Sequence, residues 1–340
     1  MHERHTSEWV SLGHPDKTAD YISSYLLDRY LEKDPDTRFA VEVMIKGNHV
    51  TLGGEVKSDA GFSDGELQEF VRQAVCDIGY TREYQDKWGK ENAICGDEIE
   101  VRTLIGRQSS DIGQGVANSG WGDQGIFFGM AVDNPASDFM PRDYFLARKL
   151  GRTLFESGLG GLDIKTQVTV QDGSVACVVV AIPLQDGDWN EILVREMAEG
   201  ITDCRNIILN GTGRYVTHSS IADCGVTGRK LVVDFYGSGS RIGGGSPWTK
   251  DGTKADLTLN LAARALALKA MRETGCHRVF TELSCAIGSP DVDARCVNSR
   301  GQEISHRTLA LKPADLIREF GLDKPTFARR CREGLFHDIH

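Results

Sequence analysis

Three times along the chain, two β-rich runs flank a tight turn, and amphipathic segments of helical period separate one such pair from the next. Arg38 to Val56 reads as two strands around Lys46-Gly47-Asn48, and Lys165 to Ile182 as two strands around Asp172-Gly173. Thr281 to Val297 begins a third pair, with a turn near Asn298-Ser299-Arg300-Gly301. Asp-Gly and Gly-Asn between β-rich runs signal hairpins, because these residues accept the positive φ that tight turns require. Between the pairs, Lys17 to Glu32 lines up Ile22, Tyr25, Leu26 and Tyr30 on one face. Ser63-x-x-Glu66 is a capping box ahead of Leu67, Phe70, Val71, Ala74 and Val75. Tyr144 to Phe155 and Asp188 to Ala198 are further amphipathic helices, and Asp256 to Met271 is apolar nearly all round, as a buried helix is.

Hairpins alternating with helices predict an α+β chain, with helices packed on one face of mixed or antiparallel sheets. No sustained βαβ alternation calls for a doubly wound sheet. The 340 residues exceed what one core organises, since single cores rarely grow past about 250–300 residues. Three similar α+β modules are expected, over 1–115, 116–218 and 219–340.

The formal net charge is −10 and no run of Lys and Arg stands out, which argues against a nucleic-acid binder. An anionic ligand must therefore meet local cations. No run of about 18 uncharged apolar residues is available to span a membrane. The first residues lack the apolar core of a signal peptide, and the nine cysteines form no C-x-x-C pair. Reduced thiols in a cytoplasmic protein are the expectation.

Five stretches carry candidate chemistry. In Gly13-His14-Pro15-Asp16-Lys17, a helix start offers free N–H groups to a phosphate; His14 and Lys17 can add contacts, and Asp16 can hold Mg²⁺. Alone, Asp16 reads equally as a helix cap. Gly120-Trp121-Gly122-Asp123-Gln124-Gly125 is glycine-rich enough for close backbone approach, or is a plain turn. Asp163-Ile164-Lys165 stands at a strand start, where a surface charge pair is the simpler reading. Asp223 to Lys230 ends in adjacent Arg229 and Lys230, which can clamp phosphates, before an expected strand from Leu231 to Tyr236. Gly243-Gly244-Gly245 precedes Lys250, Lys254 and Asp256. These spacings match neither a Walker A loop nor a dinucleotide fingerprint. Together the segments point to a polyphosphate with Mg²⁺, without naming a reaction.

Several motifs then fall in a specific order. Thr6-Ser7-Glu8, Gly13 to Lys17, Gly53-Gly54-Glu55, Gln108-Ser109-Ser110-Asp111-Ile112, Gly122 to Gly125, Asp223 to Lys230 and Gly243 to Gly245 together resemble the methionine adenosyltransferase (S-adenosylmethionine synthetase) family, from the N-terminus to about Gly288. The resemblance implies three α+β domains around a pseudo-threefold axis, each discontinuous in sequence. It implies that methionine sulfur attacks C5′ of ATP, and that the released triphosphate is then hydrolysed to pyrophosphate and phosphate. By that resemblance His14, Lys165 and Arg229 are catalytic. Lys17, Asp163, Arg214, Tyr215, Asp223, Lys230, Ser246 and Lys250 join them in contacting ATP. Glu55, Gln108, Asp223, Lys254 and Ile287 meet methionine, Asp16 and Asp256 hold two Mg²⁺, and Glu42 holds K⁺. It also implies a homodimer with sites between subunits, with assembly into tetramers left open. Apolar runs Val41 to Ile45, Val175 to Ile182 and Leu231 to Phe235 suit sheets covered on both faces.

The chain departs from the family pattern in places. Leu12 replaces a Glu, Tyr215 a Phe, and Thr217-His218-Ser219-Ser220 a glycine-rich stretch. Trp248 falls where the family has a serine that assists the monovalent cation, so a weak K⁺ dependence is expected. The lid segment between Ile112 and Gly122 is short. Two other readings compete: a silent ATP-binding homologue that regulates a partner, and an enzyme that only hydrolyses triphosphate. Retention of the expected site residues argues against the first, and Glu55 and Gln108 against the second.

Overall fold

The computed structural model describes residues 3–107, 120–185, 187 and 189–340. Among the described residues three four-stranded sheets organise the fold, each pairing a hairpin or meander with a strand from a distant stretch. In the first, β1 (Arg4–Val10) runs antiparallel to β6 (Lys165–Gln171), which forms a hairpin with β7 (Ser174–Ala181); β8 (Ile207–Leu209) adds in parallel. In the second, β2 (Arg38–Lys46) and β3 (His49–Lys57) form a hairpin. There β4 (Glu100–Arg107) joins β3 in parallel, and the two-residue β9 (Gly225–Val226) joins β2. The third is antiparallel throughout, in the order β12 (Glu303–Ala310), β11 (Asp291–Asn298), β10 (Arg278–Cys285), β5 (Gly125–Val132). The turn at Asn298 thus joins the last two strands of a meander.

Helices cover the inner faces. Helix α1 (Pro15–Leu31) packs on β2 and on α2 (Asp64–Ile78), whose capping box is formed as expected. A short α3 (Arg82–Trp88) follows. Helices α4 (Arg142–Ser157) and α5 (Asn190–Thr202) pack together, with α4 on β1 and β6. Helix α6 (Ala255–Thr274) lies on β5 and β10 and buries Leu257, Leu259, Leu261, Ala263, Ala267 and Leu268, so its nearly continuous apolar surface is enclosed. The chain finishes with α7 (Pro313–Phe320) and α8 (Phe327–Glu333). Asp28 of α1 caps α8, accepting from Phe327 N at 2.8 Å and Ala328 N at 2.9 Å.

Period-two patterning sets the strand faces. Phe39, Val41, Val43 and Ile45 of β2 are buried, while Met44 on the opposite face is 47% exposed. Leu104 of β4 and Ile126 of β5 are likewise exposed, at 54% and 51%. These sheets therefore present apolar residues on their uncovered faces.

One expected strand is a helix. Leu231–Asp234 forms a single turn, with the Lys230 carbonyl accepting from the N–H groups of Val233 and Asp234 at 3.0 Å each. Its β-branched composition is overridden by the buried partners of Asp234, described below, so Leu231 to Phe235 offers no sheet face to a partner. Among the described residues no helix is long and apolar enough to cross a membrane. All nine cysteines are free thiols.

Candidate active site

The site begins at the N-terminus of α1. His14 is its N-cap, with extended φ and ψ of −64° and 135°, and Pro15 takes the first helical position, where a missing N–H costs nothing. His14 Nδ1 accepts from Asp16 N at 3.1 Å. A neutral ring held this way carries its proton on Nε2, which can donate outward. The ring is 2% exposed. Burial, reinforced by Lys165 and Lys230, pushes His14 down to about 2, so it stays neutral at physiological pH.

The segment 225–230 reaches the same helix start through two carboxylates one turn apart. Asp16 accepts from Val226 N at 2.9 Å, and Asp20 from Gly228 N at 2.9 Å. Gly225 is needed here, because a Cβ would collide with the Pro15 carbonyl. Lys230 Nζ lies 2.5 Å from Asp16, and Arg229 stands 3.6 Å from the same carboxylate. Asp223 is exposed; its carboxylate caps Cys224 N at 2.8 Å and acts on His14 through its charge.

The start of β6 packs against 11–14. Ser11 N donates to Ile164 O at 3.0 Å, and Ser11 Oγ accepts from Ile164 N at 2.9 Å. This brings Lys165, exposed, within electrostatic range of His14. Asp163 is buried, not part of a surface charge pair. It accepts from Ser219 N at 3.3 Å, and the Tyr215 hydroxyl stands close beside its carboxylate. Burial, opposed by Lys165, pushes it up to about 6. Tyr215 donates its hydroxyl to the Asp163 carbonyl at 3.1 Å. Arg214 beside it is exposed. The unusual His218 is fully buried. Tyr84 Oη, which accepts from Leu162 N at 2.9 Å, lies 2.6 Å from His218 Nε2, so α3 supports the 162–165 segment.

Lys17 corrects an expectation. It is not turned to solvent: it is buried, with its ammonium 3.1 Å from Asp20 and 2.6 Å from Asp234. Burial alone would pull Lys17 down, but the two carboxylates outweigh it and hold it well above its ordinary value. Trp248 lies beneath it, ring centroid 4.6 Å from Nζ, and its Nε1 donates to Asp234 at 2.8 Å.

A second cluster holds Asp256, at the start of α6. It ion-pairs with Lys250 and accepts from Gly245 N at 2.7 Å. A Cβ on Gly244 would press on this carboxylate. Lys254 is the helix N-cap residue, and Ser246 is buried, accepting from Trp248 N at 3.2 Å. The Lys250 backbone bridges to Ala40 of β2, while Val226 pairs with Met44. Four strand residues, roughly 13 Å, separate these attachment points. Among the described residues no hydrogen bond or ion pair joins the Lys250–Asp256 pair to the Asp16–Lys230 pair.

Glu42 of β2 binds the hydroxyls of Thr227 and, at 3.1 Å, Thr249. Glu55 is half-buried on β3. Ile287 is 62% exposed and bridges to Trp121, away from Asp16's partners. Gln108 and most of the segment expected to form a lid lie outside the described residues. Asp20, Asp234, Thr227 and Thr249 were not anticipated; the Asp16–Asp20 spacing of one helical turn was the only signal for any of them.

Among the described residues no three His, Cys, Asp or Glu side chains converge as a metal cage. Asp16 and Asp256 are single carboxylates beside lysines. That suits Mg²⁺, which typically takes one or two carboxylates and completes its shell with substrate phosphates and water.

Fold and site together define an α+β enzyme that works on a phosphorylated substrate. Residues 2–110 match the model of the S-adenosylmethionine synthetase N-terminal domain, and 217–339 that of its C-terminal domain. The chain is 34% identical over 368 aligned residues to the S-adenosylmethionine synthase of Methylobacterium sp. (strain 4-46), covering 97% of this chain and 91% of that protein. It is 33% identical over 364 residues to S-adenosylmethionine synthase 2 of Rhodospirillum rubrum, with the same coverage of 97% and 91%. A solved structure described as an unusual S-adenosylmethionine synthetase from Campylobacter jejuni superposes with a TM-score of 0.85 at 32% identity, covering 98% of this chain and 94% of that one. The chain belongs to the S-adenosylmethionine synthetase family, and its activity is that of a methionine adenosyltransferase.

Proposed function

We propose that His14, Lys165 and Arg229 stabilise the triphosphate as it leaves C5′ of ATP under attack by methionine sulfur. The observation that carries this reading is the cap geometry of His14: Nδ1 is occupied by Asp16 N, and the ring is kept neutral between Lys165 and Lys230. A neutral imidazole then offers Nε2–H to the bridging oxygen that gains charge, while the cations meet the other oxygens. Sulfur is already nucleophilic, so no general base is required. Lys230 and Lys250 bind phosphate oxygens after leaving Asp16 and Asp256. The freed Asp16 and Asp256 carboxylates would hold Mg²⁺, which when bound would neutralise triphosphate charge. The same cations then support hydrolysis of the retained triphosphate.

Asp163, which is buried beside Tyr215, binds the nucleoside with Tyr215, joined by Arg214 and Ser246. Asp223, Glu55, Gln108, Lys254 and Ile287 receive methionine, and Glu42 is the K⁺ ligand. Ile287 and the Asp256 cluster stand apart from Asp16 within one chain. A homodimer with sites between its subunits is therefore part of the proposal, supported by exposed Met44, Leu104 and Ile126. The three domains and a cytoplasmic setting belong to the same reading.

Lys165→Met tests the leaving-group role. ATP affinity should change little while turnover falls on the order of 10²–10³, the usual cost of losing one such charge-stabilising donor. Near-normal turnover would refute the assignment.

A further inference from the structure

The second and third residues of α1 pair with one turn of chain in opposite senses. Asp16 holds Lys230 at 2.5 Å, and Lys17 holds Asp234 at 2.6 Å. Lys230 and Asp234 bracket the single helical turn Leu231–Asp234. The pairs differ in access to water. The Lys230 side chain is 20% exposed, whereas those of Lys17 and Asp234 are 4% and 5% exposed. Asp234 is saturated from a third direction by Trp248 Nε1 at 2.8 Å. The groups facing Lys17 are Asp20, Asp234, the indole ring and the Cys331 thiol of α8.

We propose that Asp234 and Trp248 are positioning residues: they hold the Arg229–Lys230 turn against α1 while the outer Asp16–Lys230 pair opens to admit the triphosphate. This rests on the reading of Lys230 as a phosphate ligand. The outer pair can exchange, because Lys230 trades one carboxylate for phosphate oxygens and remains near water. The inner pair cannot, since separating it strands two charges in the core. Once Lys230 leaves Asp16, the turn stays tied to α1 through Lys17–Asp234 and the N–H groups of Val226 and Gly228. Trp248 extends the anchor to a third segment, two residues before Lys250. A serine at this position could not span that distance and could not provide a ring beneath Lys17.

The test uses the purified full chain and, as the calorimetric probe, tripolyphosphate in its non-hydrolysable imido-bridged form with Mg²⁺, because the enzyme consumes the oxygen-bridged ion. Trp248→Phe keeps a ring over Lys17 and removes only the N–H. It should bind tripolyphosphate about tenfold more weakly, the scale of one lost hydrogen bond to a charged group. Turnover should fall by a similar factor, with the KM for methionine and the melting temperature nearly unchanged. Asp234→Asn should lose more affinity than Trp248→Phe. Wild-type affinity and turnover in Trp248→Phe would overturn the proposal. So would losses that track a fall in melting temperature, which would mark a purely structural role. Lys230→Met separates the underlying reading: if it binds tripolyphosphate as wild type does, Lys230 is not a phosphate ligand, and the proposal falls with it.

Discussion

His14→Asn isolates the proposed donor. An Asn side chain is a good N-cap and can still accept from Asp16 N, so α1 keeps its start. It is too short to place a donor where His14 Nε2 stands. The expected loss in kcat is on the order of 10²–10³, or about 3–4 kcal/mol of transition-state stabilisation, with ATP binding little affected. Stability supplies an independent readout. Burial holds folded His14 at about 2, against an ordinary value of 6.5 in the unfolded chain. Below pH 6.5 the unfolded state therefore binds a proton that the folded state refuses, and stability falls as pH falls. From pH 7.5 to 5.5 this one group accounts for about 1.4 kcal/mol, and the slope continues toward the folded value. His14→Asn removes that contribution. Wild type should thus lose about 1.4 kcal/mol more than the variant over this window, measured by denaturant midpoints at the two pH values. Turnover within threefold of wild type, or equal acid sensitivity, would refute the picture of a neutral, buried donor.

Potassium should activate only weakly: the Trp248 indole is committed to Asp234 and Lys17, leaving threonine hydroxyls as the neighbours of Glu42, and activity in Na⁺, K⁺ and tetramethylammonium buffers would expose a many-fold requirement if this is wrong. Sedimentation at micromolar concentration should show a dimer burying roughly 2,000 Å² or more through the sheet faces that carry Met44, Leu104 and Ile126; a fully active monomer would contradict the shared site.

Much of this was legible from local pattern. Hairpin turns, the Ser63 capping box and the apolar Asp256–Met271 stretch depend on neighbours within a turn or two, so sequence periodicity reports them. The errors were long-range. Lys17 looked like a phosphate ligand because its motif is cationic, yet its partner Asp234 lies 217 residues away. Leu231 to Tyr236 looked like a strand because Val232 and Val233 favour one; burial of Asp234 against Lys17 and Trp248 forced a helical turn instead. Two-residue β9 carries no pattern of its own; the α1 carboxylates and the bonds between Thr227 and Val43 of β2 hold it in place, all of them long-range. Asp163 looked exposed because nothing local reveals that Tyr215 and Ser219 fold over it.

The central claim is that the bond broken joins C5′ to the intact triphosphate. A rapidly quenched single turnover with enzyme in excess over ATP, in Mg²⁺ and methionine, tests it by mass spectrometry of all products. S-adenosylmethionine should appear together with inorganic tripolyphosphate, which then decays to pyrophosphate and phosphate. ADP, or phosphate release without S-adenosylmethionine, would contradict the account.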